Sequence, residues 1–211
     1  MIVLINPNST VAMTESMLRV ARQVAPGVRI EGMTNHGGPP AIQGAADGDL
    51  AVPPMLDCVK AAAAEGAQAI IIGCFDDTGL EEARALVDCP VLGIGQAAYL
   101  TAIAVGGRFS VVTTLSVSLP VLEGNVRRYG LGAYLAKMRA SEVPVLALEE
   151  DPEAATQKVL AEVRRAEAED DIRSVVLGCG GMVDIAARAG QGTQVRMIDG
   201  VRAAVAMAAA L

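Results

Sequence analysis

The sequence contains a single histidine, His36, and four widely spaced cysteines among its 211 residues. One histidine cannot form a His-rich metal site, and no two cysteines have the C-x-x-C spacing of a redox or zinc motif. A serine-histidine hydrolase is disfavoured on the same ground, although one histidine suffices for that chemistry. We therefore predict reduced thiols and no bound metal.

The chain also lacks a surplus of positive charge and a long apolar run. Its 24 acidic and 17 basic residues give a net charge of -7, which predicts no nucleic-acid partner. No apolar stretch reaches the ~18 residues that a membrane span requires. The N-terminal Met1-Ile-Val-Leu-Ile5 has no preceding basic segment and is typical of a strand rather than a signal peptide. These features predict a cytoplasmic protein without membrane association.

The chain does contain short β-branched segments that alternate with longer alanine-rich amphipathic segments, a pattern typical of βαβ units on parallel sheets. Hydrophobic residues make up 52% of the chain, enough for two lobes with buried cores. We predict an α/β fold of two similar lobes, each a parallel sheet flanked by helices. Residues 1–106 would carry Cys74 and residues 107–211 Cys179, and the C-terminal helix of the first lobe is free to pack on the other.

Individual elements follow from the same pattern. Strands are predicted at 2–5, 28–32, 69–72, 91–94, 109–113, 137–140, 175–177 and 195–198. A first helix, capped by Ser9 or Thr10, would run to about Ala25, and further helices are predicted at 52–65, 80–87, 96–105, 118–129, 152–168, 182–189 and 201–210. The glycine- and proline-rich segment 34–48 is too long for a simple connection and is predicted to be a lid or pocket wall.

The two halves repeat one order of elements. Ala69-Ile-Ile-Ile-Gly-Cys74 aligns with Ser174-Val-Val-Leu-Gly-Cys179, a shift of 105 residues, and 91–97 aligns with 195–203 at a shift of 104 with a small gap. Two segments that agree on nearly one shift indicate a duplication.

Cys74 and Cys179 each follow a buried strand and a glycine. Ligands of parallel sheets bind at the carboxyl ends of the strands, so two lobes related by pseudo-twofold symmetry would present one thiol to each face of a small molecule. One thiolate would remove a proton from a carbon atom while the other thiol donates one to the opposite face. A helix N-terminus beside each thiol would lower its pKa below the usual ~8.5.

Most buried cysteines are small apolar core residues, and this interpretation fits Cys58 and Cys89. It does not explain why the other two share one context. In the turns after those two, the backbone N–H groups of Phe75, Asp76, Gly180 and Gly181 are candidates to stabilise an enolate, and no metal or organic cofactor is then required.

Three polar residues at strand ends are further candidates for substrate binding. Asn8 would bond a ring amide, or serve as an ordinary turn residue. Thr113 and Thr114 would bind a carbonyl group, or satisfy local backbone groups instead. The Asp76 and Asp77 side chains are interpreted as helix caps.

These motifs resemble the Asp/Glu/hydantoin racemase superfamily, most closely its hydantoin and allantoin racemase branch. The matching segments span nearly the whole chain: Ile5-Asn-Pro-Asn-Ser-Thr10, Gly38-Pro-Pro-Ala-Ile-Gln43, Gly73-Cys-Phe-Asp-Asp77, Val91-Leu-Gly-Ile-Gly95, Arg108-Phe-Ser-Val-Val-Thr-Thr114, Arg139-Ala-Ser-Glu-Val-Pro-Val145 and Gly178-Cys-Gly-Gly-Met182.

The resemblance implies an Asp/Glu racemase-like fold with pseudo-twofold symmetry, a homo-oligomer, and cofactor-independent inversion of C5 in a 5-monosubstituted hydantoin or in allantoin. It places the catalytic pair at Cys74 and Cys179. Two alternatives stay open: another reaction of the superfamily, such as that of an aspartate or glutamate racemase or a maleate isomerase, and a binding protein without catalysis.

Overall fold

The computed structural model describes residues 1–188 and 193–211. In the first half it contains β1 (Ile2–Asn6), α1 (Val11–Val24), β2 (Ile30–Thr34), α2 (Ala45–Ala64), β3 (Ala69–Ile72), α3 (Leu80–Leu86), β4 (Val91–Gly93) and α4 (Ile94–Gly106). In the second half it contains β5 (Phe109–Thr113), α5 (Leu119–Arg128), β6 (Leu135–Ala140), α6 (Ala147–Glu150), α7 (Pro152–Glu169), β7 (Ser174–Gly178), α8 (Ile185–Arg188), β8 (Arg196–Asp199) and α9 (Gly200–Ala208).

The strands form two four-stranded parallel sheets with the same topology. Their orders are β2-β1-β3-β4 and β6-β5-β7-β8, so each strand of one sheet has a counterpart in the other. The α/β class, the two parallel sheets and their internal similarity are confirmed. The strands β3 and β7 have the same central position in their sheets, and both are buried along their whole length. Cys74 and Cys179, which follow these strands, therefore lie at equivalent places in the two sheets.

The two sheets share one core, in which α4 and α9 are central. Each helix follows the last strand of its own sheet, but α4 contacts β7 of the second sheet and α9 contacts β3 of the first. Tyr99 of α4 is fully buried between Phe75 and Phe109, with ring centroids 5.4 and 5.8 Å away. This packing holds the two halves together, while the division of the chain at residue 106 remains a prediction.

Most element boundaries agree with the sequence prediction within two residues, but α2 does not. It begins at Ala45, seven residues before the predicted start, and continues through Pro53 and Pro54. A proline pair is typical of the first turn of a helix, but here it lies inside one. The predicted strand 28–32 is displaced to Ile30–Thr34, and helix 182–189 is reduced to α8, with its predicted last residue, Ala189, outside the described residues.

A buried arginine organises the second sheet. Arg139 of β6 donates from Nε and Nη2 to Asp170 at 2.8 and 2.7 Å, and also reaches Glu162 at 3.0 Å and Glu169 at 2.7 Å. Ser110 donates to the same Asp170 carboxylate at 2.6 Å. Only 4% of the Arg139 side chain and 7% of the Asp170 side chain are exposed. The guanidinium therefore lowers the pKa of Asp170, and the two groups depend on each other.

We expect Arg139→Met to lower the free energy of unfolding by about 3–5 kcal/mol, because it leaves the buried Asp170 carboxylate without its cation. Urea unfolding followed by circular dichroism measures the change. Arg165→Met is the matched control, since Arg165 contacts the same Glu162 but is 67% exposed, and its loss is expected to cost less than about 1 kcal/mol. Equal losses in both variants would contradict this assignment.

No helix in the described ranges is both long and apolar enough to traverse a membrane.

Candidate active site

A narrow cleft lies between the two halves at the carboxyl ends of β1, β3, β5 and β7. Its walls include all nine residues predicted from the sequence as site residues: Asn8, Cys74, Phe75, Asp76, Thr113, Thr114, Cys179, Gly180 and Gly181. Cys74 and Cys179 are partly exposed residues of this cleft wall, so a small molecule in the cleft meets one cysteine from each half.

The two cysteines begin equivalent turns. The carbonyl of Cys74 accepts a hydrogen bond from the N–H of Asp77 at 3.0 Å, and the carbonyl of Cys179 accepts one from Met182 at 3.1 Å. In each turn the N–H two residues after the cysteine, at Asp76 or Gly181, faces the sulfur and lowers the thiol pKa. The sequence repeat is therefore reproduced in the local geometry of both thiols.

The two turns also touch each other. A methyl group on Gly180 would lie 2.8 Å from the carbonyl oxygen of Gly73, closer than such contacts allow. Glycine at 180 therefore lets the two cysteine turns approach closely.

The predicted sign of the thiol pKa shifts is wrong. Burial raises the pKa of Cys179 to about 12 and holds the pKa of Cys74 still further above its usual range. The Asp76 carboxylate raises both values, and Glu149 adds to the effect on Cys179. The helix N-terminus expected beside Cys74 is absent, since α3 begins only at Leu80, so desolvation prevails over the two backbone N–H groups.

Asp77 holds the turn that begins at Cys74, and its side chain lies outside the cleft. Its carboxylate accepts hydrogen bonds from the N–H groups of Gly95 and Gln96 at 2.9 and 2.8 Å and from the Tyr129 hydroxyl at 2.8 Å. Asp77 is thus a helix cap, as interpreted, but it caps α4 rather than a helix of its own. A side chain at Gly95 would collide with the Phe75 carbonyl at 2.3 Å, which explains a glycine there.

The comparisons with known proteins agree with this geometry. Residues 2–208 match the family described as Asp/Glu/Hydantoin racemase. The chain belongs to the Asp/Glu/hydantoin racemase family. A hydantoin racemase of Rhizobium meliloti is 46% identical over 209 residues, which cover 99% of this chain and 87% of that protein.

Solved structures give the same result. An allantoin racemase from Klebsiella pneumoniae has a TM-score of 0.96 at 39% identity, covering 100% of this chain and 86% of that one. An allantoin racemase from Pseudomonas fluorescens has a TM-score of 0.94 at 36% identity, covering 100% of this chain and 89% of that one. The resemblance inferred from the motifs is confirmed.

Within this racemase-family cleft, the predicted binding residues present different groups. The Phe75 ring is buried against Tyr99, so only its backbone is available to the cleft. The Thr113 hydroxyl donates its proton to the Gly178 carbonyl at 2.7 Å and can only accept from a ligand. The Thr114 hydroxyl has no hydrogen-bond partner in the described part of the chain, and its proton is available to a substrate carbonyl.

Several lining residues were not predicted. Asn6, Ser118 and Ile42 lie in the cleft wall, and Thr78 donates its hydroxyl proton to the Cys74 sulfur at 3.3 Å. Ile42 places the segment 34–48 at the site as a pocket wall. Asn6 was within reach of sequence reasoning because it stands at the end of β1, whereas Ser118 and Thr78 have no distinguishing pattern. Residues 1–188 and 193–211 contain no group of three His, Cys, Asp or Glu side chains able to hold a metal ion.

The Asp76 carboxyl lies in the cleft wall with its charge poorly solvated. Burial, and secondarily the neighbouring Asp77, raise its pKa to about 7, against ~3.9 for an unfolded chain. The folded state therefore binds this proton more tightly. The resulting stability is fully present below pH ~3.9 and is lost as the pH rises through 7.

We expect Asp76→Asn, which mimics the neutral form, to be stabilised relative to the wild type by an amount that grows between pH 5 and pH 8. Between these two pH values, the difference in free energy of unfolding between the variant and the wild type increases by at most about 3 kcal/mol, which corresponds to two pKa units. Urea unfolding at both pH values measures it, with Asp57→Asn on the exposed face of α2 as the control. A difference that does not depend on pH would show that Asp76 keeps an ordinary pKa.

Proposed function

We propose that this protein is a cofactor-independent racemase that inverts C5 of a hydantoin-type ring, either a 5-monosubstituted hydantoin or allantoin, by proton transfer between Cys74 and Cys179. The observation that carries the proposal is that two thiols on equivalent turns face one cleft from opposite halves. One thiolate takes the C5 proton, and the other thiol gives its proton to the opposite face of the carbon. The two cysteines then have exchanged roles, ready for the reverse reaction.

The chemistry fits the groups in the cleft. The C5 proton lies beside a ring carbonyl, so its removal leaves an enolate rather than a localised carbanion. The N–H groups of Phe75 and Gly180 have no protein acceptor in the described ranges and are available to that oxygen, as is the Thr114 hydroxyl. The N–H groups of Asp76 and Gly181 instead face the sulfurs, where they favour the thiolate.

The charge of the cleft favours a neutral ring over a free amino acid or dicarboxylate. Among the described residues that line it, none is lysine or arginine, and Asp76 is the one carboxyl group. An aspartate, glutamate or maleate ion would meet no cation there. A binding role without catalysis would not require the matched thiols. A homo-oligomeric state and a cytoplasmic location remain predictions from the sequence.

Polarimetry of the purified protein with L-5-benzylhydantoin and with (S)-allantoin, in EDTA, tests the proposal and ranks the two substrates. Decay of optical rotation above the uncatalysed rate on at least one ring supports it. No decay on either ring, together with turnover of L-aspartate, L-glutamate or maleate, would show another reaction of the family. Ligand binding without any turnover would support the binding protein instead.

A further inference from the structure

Two asparagines at the end of β1 form a buried hydrogen-bond network beside the cleft. The Asn6 side chain is fully buried, and the two protons of its Nδ2 are shared among three acceptors within hydrogen-bond distance: Asn8 Oδ1 at 2.9 Å, the Thr10 carbonyl at 3.1 Å and Thr14 Oγ1 at 3.1 Å. Its Oδ1 accepts from the backbone N–H of Asn8 at 3.2 Å. Asn8 Oδ1 also accepts from the N–H of Thr10 at 2.9 Å.

Backbone groups fix the orientation of both amides in this network. The Thr10 N–H can only donate, so the Asn8 atom that faces it is the oxygen. The Thr10 carbonyl can only accept, so the Asn6 atom that faces it is the nitrogen. Rotating either amide by 180° would place donor against donor or acceptor against acceptor. The arrangement is therefore determined by the main chain of one helix N-terminus.

In this arrangement, Asn8 can act toward the cleft only as a hydrogen-bond donor. Its Oδ1 uses both lone pairs, on Asn6 and on Thr10. Its Nδ2 has only the Met13 sulfur at 3.4 Å, a weak acceptor, within the described residues. Met13 belongs to an apolar cluster with Ala41 and Val145, which offers no better partner. The Asn8 amide thus presents unused donor capacity beside the two thiols.

We propose that Asn8 recognises the substrate solely as a hydrogen-bond donor to a ring carbonyl oxygen, and that Asn6 is the positioning residue that enforces this orientation. The identity of the acceptor rests on the proposed function. If the acceptor is the carbonyl next to C5, the hydrogen bond from Asn8 strengthens as the enolate forms and therefore raises kcat. If it is the other carbonyl, the bond acts mainly on KM.

Sulfur substitution in the substrate tests the donor directly. Racemisation of a 5-substituted hydantoin is compared with that of its 2-thio and 4-thio analogues, because a thiocarbonyl accepts hydrogen bonds poorly. Intrinsic reactivity differs between the rings, so the readout is the oxygen-to-sulfur ratio of kcat/KM in each variant relative to the wild type. For one of the two positions this ratio is expected to fall by about 3- to 10-fold in Asn8→Ala, the contribution of one hydrogen bond.

Asn6→Asp is expected to lower the same ratio at the same position. A carboxylate at residue 6 can only accept, so it repels Asn8 Oδ1 and turns Asn8 Nδ2 toward itself, away from the cleft. Thr34→Val is the matched control: the Thr34 hydroxyl bonds that of Thr14 at 2.7 Å in the same network but forms no hydrogen bond with either asparagine amide, so the ratio of this variant is expected to stay at the wild-type value. A purely structural defect lowers the rates on oxygen and sulfur substrates equally and leaves the ratio unchanged.

Nuclear magnetic resonance of the wild type keeps the assignment testable if Asn6→Asp does not fold. The Asn6 side-chain NH₂ protons should be protected from solvent exchange, and the Asn8 NH₂ signals should shift on addition of unsubstituted hydantoin, which cannot be racemised. An unprotected Asn6 amide, an unmoved Asn8 signal, or an unchanged ratio in Asn8→Ala would overturn the inference while leaving the racemase intact. A wild type that racemises no ring and binds no hydantoin would overturn both.

Discussion

Replacement of Cys74 or of Cys179 by serine is expected to reduce racemisation by at least about 10³-fold, within the range that a positioned acid or base contributes. A serine hydroxyl is a far weaker acid than a thiol and does not ionise in this pH range. Inversion needs a base on one face of C5 and an acid on the other, so either replacement interrupts the complete reaction. Polarimetry on the ring that the wild type racemises measures the loss.

Each variant should nevertheless retain half of the chemistry. The remaining thiolate can remove the C5 proton of the enantiomer that faces it and return a solvent proton to the same face. In D₂O, proton NMR should therefore show C5–H exchange without inversion, for one enantiomer in Cys74→Ser and for the opposite enantiomer in Cys179→Ser. Exchange of the same enantiomer in both variants would contradict the assignment of one thiol to each face.

Cys58→Ser and Cys89→Ser are the matched controls. Both residues are partly buried thiols on the outer side of the first sheet, where they pack against its apolar cluster and do not line the cleft. Neither replacement is expected to change the rate more than about twofold, since neither residue lines the cleft and serine is close to cysteine in size. A large loss in either control would show that thiol oxidation or misfolding, rather than proton transfer, explains the effects at 74 and 179.

The fold was predictable because its signals are local and repeated. Apolar β-branched strands such as Ala69–Ile72 and Ser174–Gly178 have no surface-facing residues, which indicates parallel strands buried on both faces. The failure at α2 has a physical reason: a proline pair is a strong sign of a helix start, but the preceding turns are held by hydrogen bonds that no local pattern reveals. The Asp47 carboxylate accepts from the Gln43 N–H at 2.9 Å, and the Ala51 carbonyl accepts from Asn35 Nδ2 at 3.0 Å.

The site was predictable where chemistry and repetition coincide. The shared context of strand, glycine and cysteine indicated both thiols, and the structure brings them to one cleft. The pKa shifts were not predictable, because they depend on how far two turns of different halves exclude water from each other, as at Gly180 and the Gly73 carbonyl. The donor orientation of Asn8 likewise arises from Asn6 and Thr10 only once the chain has folded.

The second large effect concerns pH. We expect kcat/KM to rise throughout pH 7 to pH 9 and to approach tenfold per pH unit above pH 8, where Asp76 is already ionised, because one of the two thiols must lose its proton before the reaction begins. Burial holds the pKa of Cys179 at about 12 and that of Cys74 higher, so the active monoanion is a minor species that grows with pH throughout this interval. Initial rates corrected for the alkaline reaction without enzyme give the profile. A plateau above pH 8 would mean that one thiol ionises near its usual pKa.

Asp76→Asn should shift this profile to lower pH. The Asp76 carboxylate is the charge that raises the pKa of both thiols, and asparagine removes it while leaving the backbone N–H beside the Cys74 sulfur in place. The variant should react faster with iodoacetamide at pH 8, because the thiolate is the reactive form. Asp57→Asn removes a carboxylate from outside the cleft and should leave the alkylation rates of Cys74 and Cys179, measured residue by residue by mass spectrometry, unchanged, although it lowers the pKa of the neighbouring Cys58. Because Asp76→Asn is also expected to be the more stable protein at pH 8, faster alkylation cannot be attributed to local unfolding and must reflect a larger thiolate fraction.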